Sequence, residues 1–142
     1  MTVVVWPSEA GEWMTAPDFT IAAPDGRMKS APDVGPSKLR RRVSSAVAPV
    51  AGQMRCTLNQ KARMERFWNE DTSGGVLPFV FPDQVYNNTI LMTGEGEPIL
   101  TEDDQVILIE SHWLVQFAEP IQWRPIRGQG SWMAGISLNI MP

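Results

Sequence analysis

The chain predicts a mainly β protein: a β-sandwich or partly closed barrel with one flanking α-helix. Three observations carry that expectation. Trp132, Ala134, Ile136, Leu138 and Ile140 alternate strictly with Met133, Gly135, Ser137, Asn139 and Met141, the period of a strand with one buried face. Twelve prolines and eleven glycines in 142 residues are more punctuation than a helical bundle tolerates. One stretch, about 58–70, joins a helix-start signal to apolar residues at helical spacing.

A chain of this length suits a single domain over 1–142 that buries roughly two-thirds of its unfolded surface. Within it the sequence predicts a short strand over 1–6, a long proline-rich arm over 7–37, and a sandwich core with its helix over 38–142. Thr2-Val3-Val4-Val5-Trp6 is β-branched and ends at Pro7. Prolines 7, 17, 24, 32 and 36 then interrupt any regular period. Thirty structureless residues are unusual in a compact domain. Trp13 and Phe19 favour an arm that orders on its own sheet or on a neighbour over a solvated linker.

Lys38-Leu39-Arg40-Arg41-Arg42-Val43 reads as a basic strand, with Arg40 and Arg42 on one face. Pro49 and Gly52 divide the stretch up to the helix into two strands, about 41–48 and 51–57. Thr57-Leu58-Asn59-Gln60 fits a capping box. In the helix after it, Met64, Phe67 and Trp68 fall in one sector of about 100°, with Arg63 and Arg66 outside. Ser73-Gly74-Gly75 stops the helix, and Leu77 to Pro82 is a short strand between prolines. Tyr86 to Thr93 is a further strand, Gln105 to Phe117 the longest β-type run, and Gln122 to Ile126 a strand before the Gly128-Gln129-Gly130 turn. No internal repeat stands out.

The net charge of −4 is unevenly distributed. Arg27 to Arg66 holds ten basic residues and two acids, whereas Phe67 to Trp123 holds ten acids and no Lys or Arg. Such blocks either pair within one subunit or form complementary sides of two copies. The triple arginine invites a nucleic-acid reading, but aromatic interleaving is missing and the whole chain is acidic. The apolar run Met1–Trp6 is too short for a signal peptide, and no segment approaches the ~20 apolar residues that cross a bilayer. No membrane insertion is expected.

Little is available for catalysis. Ser111 and His112 are neighbours, so on a strand they point to opposite faces and cannot act as nucleophile and base. Cys56 is alone, which rules out an intrachain disulfide. It precedes the helix, whose dipole can lower a thiol pKa, but no second Cys or His joins it. Glu102-Asp103-Asp104 suits a hard cation in charge only, since the EF-hand spacing is absent; Thr101 with Asp104 fits a capped turn equally well. Gly94-Glu95-Gly96-Glu97 carries acids where a phosphate loop needs donors and a lysine. A hydrolase built on paired acids has no readable site. No catalytic residue, cofactor or metal is expected.

The order Gly35-Pro36-Ser37-Lys38-Leu39-Arg40-Arg41-Arg42, the strand into Thr57, and the helix with Phe67-Trp68 resemble the minor tail and distal tail proteins of tailed phages. Gly74-Gly75, Phe79-Val80-Phe81-Pro82, the closing Trp132–Pro142 strand and the early Trp6-Pro7 extend the likeness to about three-quarters of the chain. The acidic stretch from Asp83 to Glu119 and the proline-rich arm depart from that pattern. The resemblance implies a tail-tube-like β-sandwich in a ring, commonly a hexamer. Such a ring joins the tail tube protein to tail tip or baseplate hub proteins and leaves a channel for tape measure and DNA. The resemblance also implies assembly in the host cytoplasm and residence in the virion. The expected subunit contacts are Arg40, Arg41, Arg42, Arg63 and Arg66 against Glu102, Asp103 and Asp104, with Trp13 and Phe19 on the arm. Two alternatives remain: a carbohydrate-binding module stacking Trp113, Trp123 and Trp132 on sugars, or a tail terminator or completion protein.

Overall fold

A computed structural model describes residues 3–142; Met1 and Thr2, expected in the first strand, lie outside the described residues. The strands in chain order are β1 (Val4–Val5), β2 (Thr20–Ile21), β3 (Arg27–Ser30), β4 (Lys38–Arg41), β5 (Ala48–Cys56) and β6 (Phe79–Pro82). After them come β7 (Thr89–Ile90), β8 (Leu108–Ile109), β9 (His112–Phe117), β10 (Gln122–Ile126) and β11 (Ser131–Ile140). The helix α1 spans Leu58–Arg66 and runs into a π-helical turn, Phe67–Asp71.

The alternating stretch is the central strand. β11 pairs antiparallel with β5 over its length, from Trp132 opposite Cys56 to Ile140 opposite Ala48. On its other edge β10 faces residues 131–135 and β9 faces Leu138–Ile140. β9 and β10 are thus one arm of a long hairpin, broken around Pro120, and Ala118 still donates to the Ser137 carbonyl at 2.9 Å. The path through the seven-stranded sheet is β1-β6-β9-β11-β5-β2, with β10 beside β11.

Alternation decides which face is buried. Val50, Met54 and Cys56 of β5, and Ala134, Ile136 and Leu138 of β11, are buried and share one face. Met64 and Phe67 are buried and Trp68 is half-buried against the same core, as the helical spacing predicts. The capping box forms: Gln60 N donates to the Thr57 hydroxyl and Thr57 N donates to Gln60 Oε1. Beyond the helix, the buried Thr72 hydroxyl donates to the Trp68 carbonyl at 2.9 Å and accepts from Gly75 N at 3.1 Å. It satisfies groups that a helix end leaves unpaired. Gly75 then turns at a φ of 85°, and a Cβ there would stand 2.3 Å from the Trp68 ring.

An aromatic cluster fills the other half of the core. Trp6 lies 5.1 Å from Phe67 and 5.2 Å from Phe81, both edge-on, and Phe79 lies 4.9 Å from Phe117. The Trp6 indole N–H donates to the Gly11 carbonyl at 2.7 Å, satisfying its polar edge in the interior.

Several expectations need correction. The fold is mainly β with one flanking helix, but no closed barrel forms. Among the described residues the other sheets have two strands each, so α1 and the N-terminal segment cover the core face instead of a second large sheet. The arm orders in part on its own sheet, one of the two expected placements: β2 pairs with β5, while β1 before the arm pairs with β6 on the opposite edge. Lys38 does not begin the core, because β4 pairs only with β3. β5 runs unbroken through Pro49 and Gly52, held by nine successive partners on β11, and residues 42–47 form no strand. The run from Gln105 to Phe117 splits at Glu110-Ser111, where the chain leaves one pairing partner for another. Tyr86–Thr93 contracts to β7 for the same reason.

Candidate functional site

Two projections stand apart from the sheet, and between them they hold most of the charge segregation. The first is the β3–β4 hairpin. Its backbone narrows at Gly26, whose carbonyl accepts from both Arg42 N and Val43 N; a Cβ there would stand 2.6 Å from the Val43 carbonyl oxygen. Arg27 donates to both Asp25 carboxylate oxygens, at 2.8 and 3.0 Å. These bonds hold the Asp25 carboxyl well below the usual carboxylate range. Beside the hairpin lies a cleft of about 760 Å³ lined by Arg27, Leu39, Arg40, Arg41, Val43 and Pro142 among others. Arg41 donates to the carbonyls of Val43 and Ser44, which fixes its guanidinium along the rim. Leu39 and Val43 are exposed apolar residues.

The second projection, Asn87 to Ile109, has an internal order that its sequence conceals. Leu91 N donates to the Ile107 carbonyl, Ile99 N to the Leu91 carbonyl and Ile107 N to the Ile99 carbonyl. Around this closed triangle three short antiparallel contacts radiate: Met92 with Pro98, Leu100 with Val106, and Ile90 with Leu108. The second is the first displaced by eight residues, and the third closes the ring by pairing Leu108, eight after Leu100, with Ile90, eight before Pro98. Two end in matching turns, in which Gly96 N donates to the Thr93 carbonyl and Asp104 N to the Thr101 carbonyl. The Thr93 and Thr101 hydroxyls accept from Glu97 N and Gln105 N. The third opens as a stem into the body. An eight-residue repeat is therefore present, where none stood out from the sequence.

Pairing and alternation place Ile90, Met92, Pro98, Leu100, Val106 and Leu108 on one face of this three-leaved unit. Met92, Leu100 and Leu108, at equivalent repeat positions, are 54%, 47% and 51% exposed. Glu95, Glu97, Glu102, Asp103 and Asp104 lie in or beside the two turns of the unit and are exposed. A contiguous exposed apolar face of this kind marks an interaction site.

The expected contact residues divide accordingly. Arg40, Arg41 and Arg42 are exposed on or just after β4, and Glu102, Asp103 and Asp104 occupy the second turn of the acidic unit. Among the described residues no ion pair engages any of these six, whose charges remain open to a partner. Arg63 is different: it pairs with Glu9 at 3.6 Å and Asp71 at 3.2 Å within its own chain. Arg66 is exposed on α1. Trp13 is exposed, whereas Phe19 packs half-buried on its own core. The apolar face of the acidic unit was missed from sequence; Ile90-Leu91-Met92-Thr93 and Pro98-Ile99-Leu100-Thr101, eight residues apart, are the signal that reveals it.

Both projections rise from one end of the sheet. The hairpin enters β5 at Ala48, opposite Ile140; the acidic unit leaves β6 at Pro82 and returns at His112, opposite each other. β9 meets β11 at that same end, with Val115 opposite Ile140.

The remaining chemistry is structural. The Ser111 hydroxyl donates to Asp83 at 2.8 Å, so it is engaged away from the exposed His112. Cys56 is buried with its thiol against the Trp132 carbonyl. Burial raises its pKa, opposed by the Lys61 charge, as suits a packed thiol rather than one activated by the helix dipole. Among the described residues no group of three or more His, Cys, Asp or Glu is arranged to hold a metal ion. Trp123 and Trp132 share the Lys61 ammonium, 4.9 and 4.8 Å from their ring centroids. Trp113 lies beyond the opposite end of β11, so the three rings form no single sugar platform. Among the described residues no helix is long and apolar enough to cross a membrane. Compared with known proteins, the chain matches no family model and no curated protein.

Proposed function

We propose that this chain is a non-enzymatic structural subunit of a phage virion, a ring-forming minor or distal tail protein. Its ring, a hexamer by preference, joins the tail tube to the tail tip or baseplate and leaves a channel for tape measure and DNA. The observation that carries the reading is the pair of projections of opposite charge, each with exposed apolar side chains and unpaired arginines or acids. A heterologous interface that closes on itself needs two different complementary patches on one subunit. The resemblance of Gly35–Arg42, the Phe67-Trp68 helix and the closing strand to phage tail proteins supplies the biological setting.

The purified protein imaged by negative-stain electron microscopy is expected to give rings of uniform diameter with a central opening. Monodisperse single subunits over the whole accessible concentration range overturn the reading. Rings that cap purified tail tubes at the head-proximal end instead of the tip place the protein as a terminator.

A further inference from the structure

Resting on that reading, we infer that the apolar face of the acidic three-leaved unit seats in the basic cleft of a second copy, and that the two copies stand side by side. Both halves of the contact are amphipathic in the same way and opposite in sign. The acidic unit offers exposed Met92, Leu100 and Leu108, with Glu95, Glu97, Glu102, Asp103 and Asp104 in and beside its turns. The cleft offers Leu39, Val43 and Pro142 with the unpaired Arg40 and Arg41 beside them, while Arg27 is already paired with Asp25. Apolar centres bounded by complementary charge give burial in the middle and steering at the rim.

The projections start three strand steps apart, on β6 and β5, or roughly 10–15 Å at the usual strand spacing. Among the described residues no ion pair links them within one chain. Because both rise from the same end of the sheet, an acidic unit reaching the next copy's cleft brings equal ends level. Copies are then related by rotation about an axis near the strand direction and lie laterally, as neighbours in a ring do. Two copies joined end to end by their opposite sheet ends cannot make this contact.

The test mixes two variants of the full chain, Leu39→Cys in the cleft and Leu100→Cys on the acidic face. Cys56 is buried, so the native chain serves as the unreactive control. Under mild oxidation the mixture is expected to give a disulfide-linked dimer containing one of each, while either variant alone gives none. Reversal of Arg40, Arg41 and Arg42 to Glu, or of Glu102, Asp103 and Asp104 to Lys, is expected to weaken self-association about tenfold or more in sedimentation velocity. Combining both reversals is expected to recover association, and circular dichroism checks that each variant folds.

Self-association that persists without the mixed disulfide, unaffected by either reversal, overturns this contact and leaves the ring reading standing. A mixed disulfide in open dimers that never close keeps the contact and overturns the ring. A monomer at every concentration overturns both. Arginine reversal that abolishes binding of a DNA oligonucleotide while association is unchanged assigns the cleft to nucleic acid and likewise overturns the contact.

Discussion

Ser111 and Asp83 meet across the stem of the acidic projection, the serine hydroxyl donating to Asp83 Oδ2 at 2.8 Å. The other carboxylate oxygen accepts from Val85 N at 2.7 Å and Tyr86 N at 3.1 Å. One buried side chain thus ties both strands of the stem to the sheet, and Asp83 N donates in turn to the Ser111 carbonyl. Ser111→Ala is expected to cost about 1–2 kcal/mol and Asp83→Ala about 2–4 kcal/mol in urea unfolding. Hydrogen exchange is expected to quicken at the Leu91, Ile99 and Ile107 amides more than at those of β11.

Adjacent glycines separate two effects. Gly74 and Gly75 both have positive φ, but a side chain at 74 meets nothing within 4 Å, whereas one at 75 strikes the Trp68 ring. Gly74→Ala is expected to cost about 1–2 kcal/mol, the left-handed backbone penalty alone. Gly75→Ala adds the displacement of Trp68 from Phe117, whose rings lie 4.8 Å apart, for a total of about 3 kcal/mol or more. Thermal unfolding of the two variants measures the difference, and equal midpoints refute it.

The capping box gives a local prediction. Thr57→Ala removes the acceptor for Gln60 N and is expected to cost about 1 kcal/mol, while Thr57→Ser costs less than half of that. Chemical denaturation reads both.

Burial of Cys56 sets a pH dependence. Its folded pKa is raised above the unfolded value by burial, so folding favours the neutral thiol. That contribution is fully present below the unfolded thiol pKa of about 8.5 and is lost as pH rises through the folded pKa. Stability is expected to fall more steeply above about pH 9 in the native chain than in Cys56→Ala. The folded protein is expected to resist a thiol reagent at neutral pH and to react on unfolding.

Local signals were legible and pairings were not. Thr57 with Gln60, and the alternation from Trp132 to Ile140, depend on neighbours in sequence, and the structure keeps both. Pro49 misled because a proline weakens a strand on its own, whereas β11 holds β5 on both sides of it. Gln105 to Phe117 reads as one β-type run because strand formers dominate it; at Glu110-Ser111 the partner changes where Ser111 bonds Asp83 and Asn87, the latter accepting from Ser111 N. The charge blocks are plain in the sequence, but which of their members pair within one subunit is not; only the fold shows that no ion pair among the described residues engages Arg40–Arg42 or Glu102–Asp104. Arg63 pairs within its own chain with Asp71, on the turn that continues α1, and with Glu9, which comes near only once the N-terminal segment packs on α1.

β11 lies between β5 on one edge and β9 and β10 on the other, yet it comes after every one of its partners along the chain. On the ribosome, β5, β6 and β9 emerge before the strand that joins them exists. β1 and β2, made earliest, seal edges of a sheet whose centre is made last. The dominant contacts are long in sequence, which slows folding, and the closing step waits for residue 140 to leave the exit tunnel. Until then Phe79, Phe81 and Phe117 have no completed core to enter, so the nascent chain is expected to depend on chaperones for longer than its length suggests.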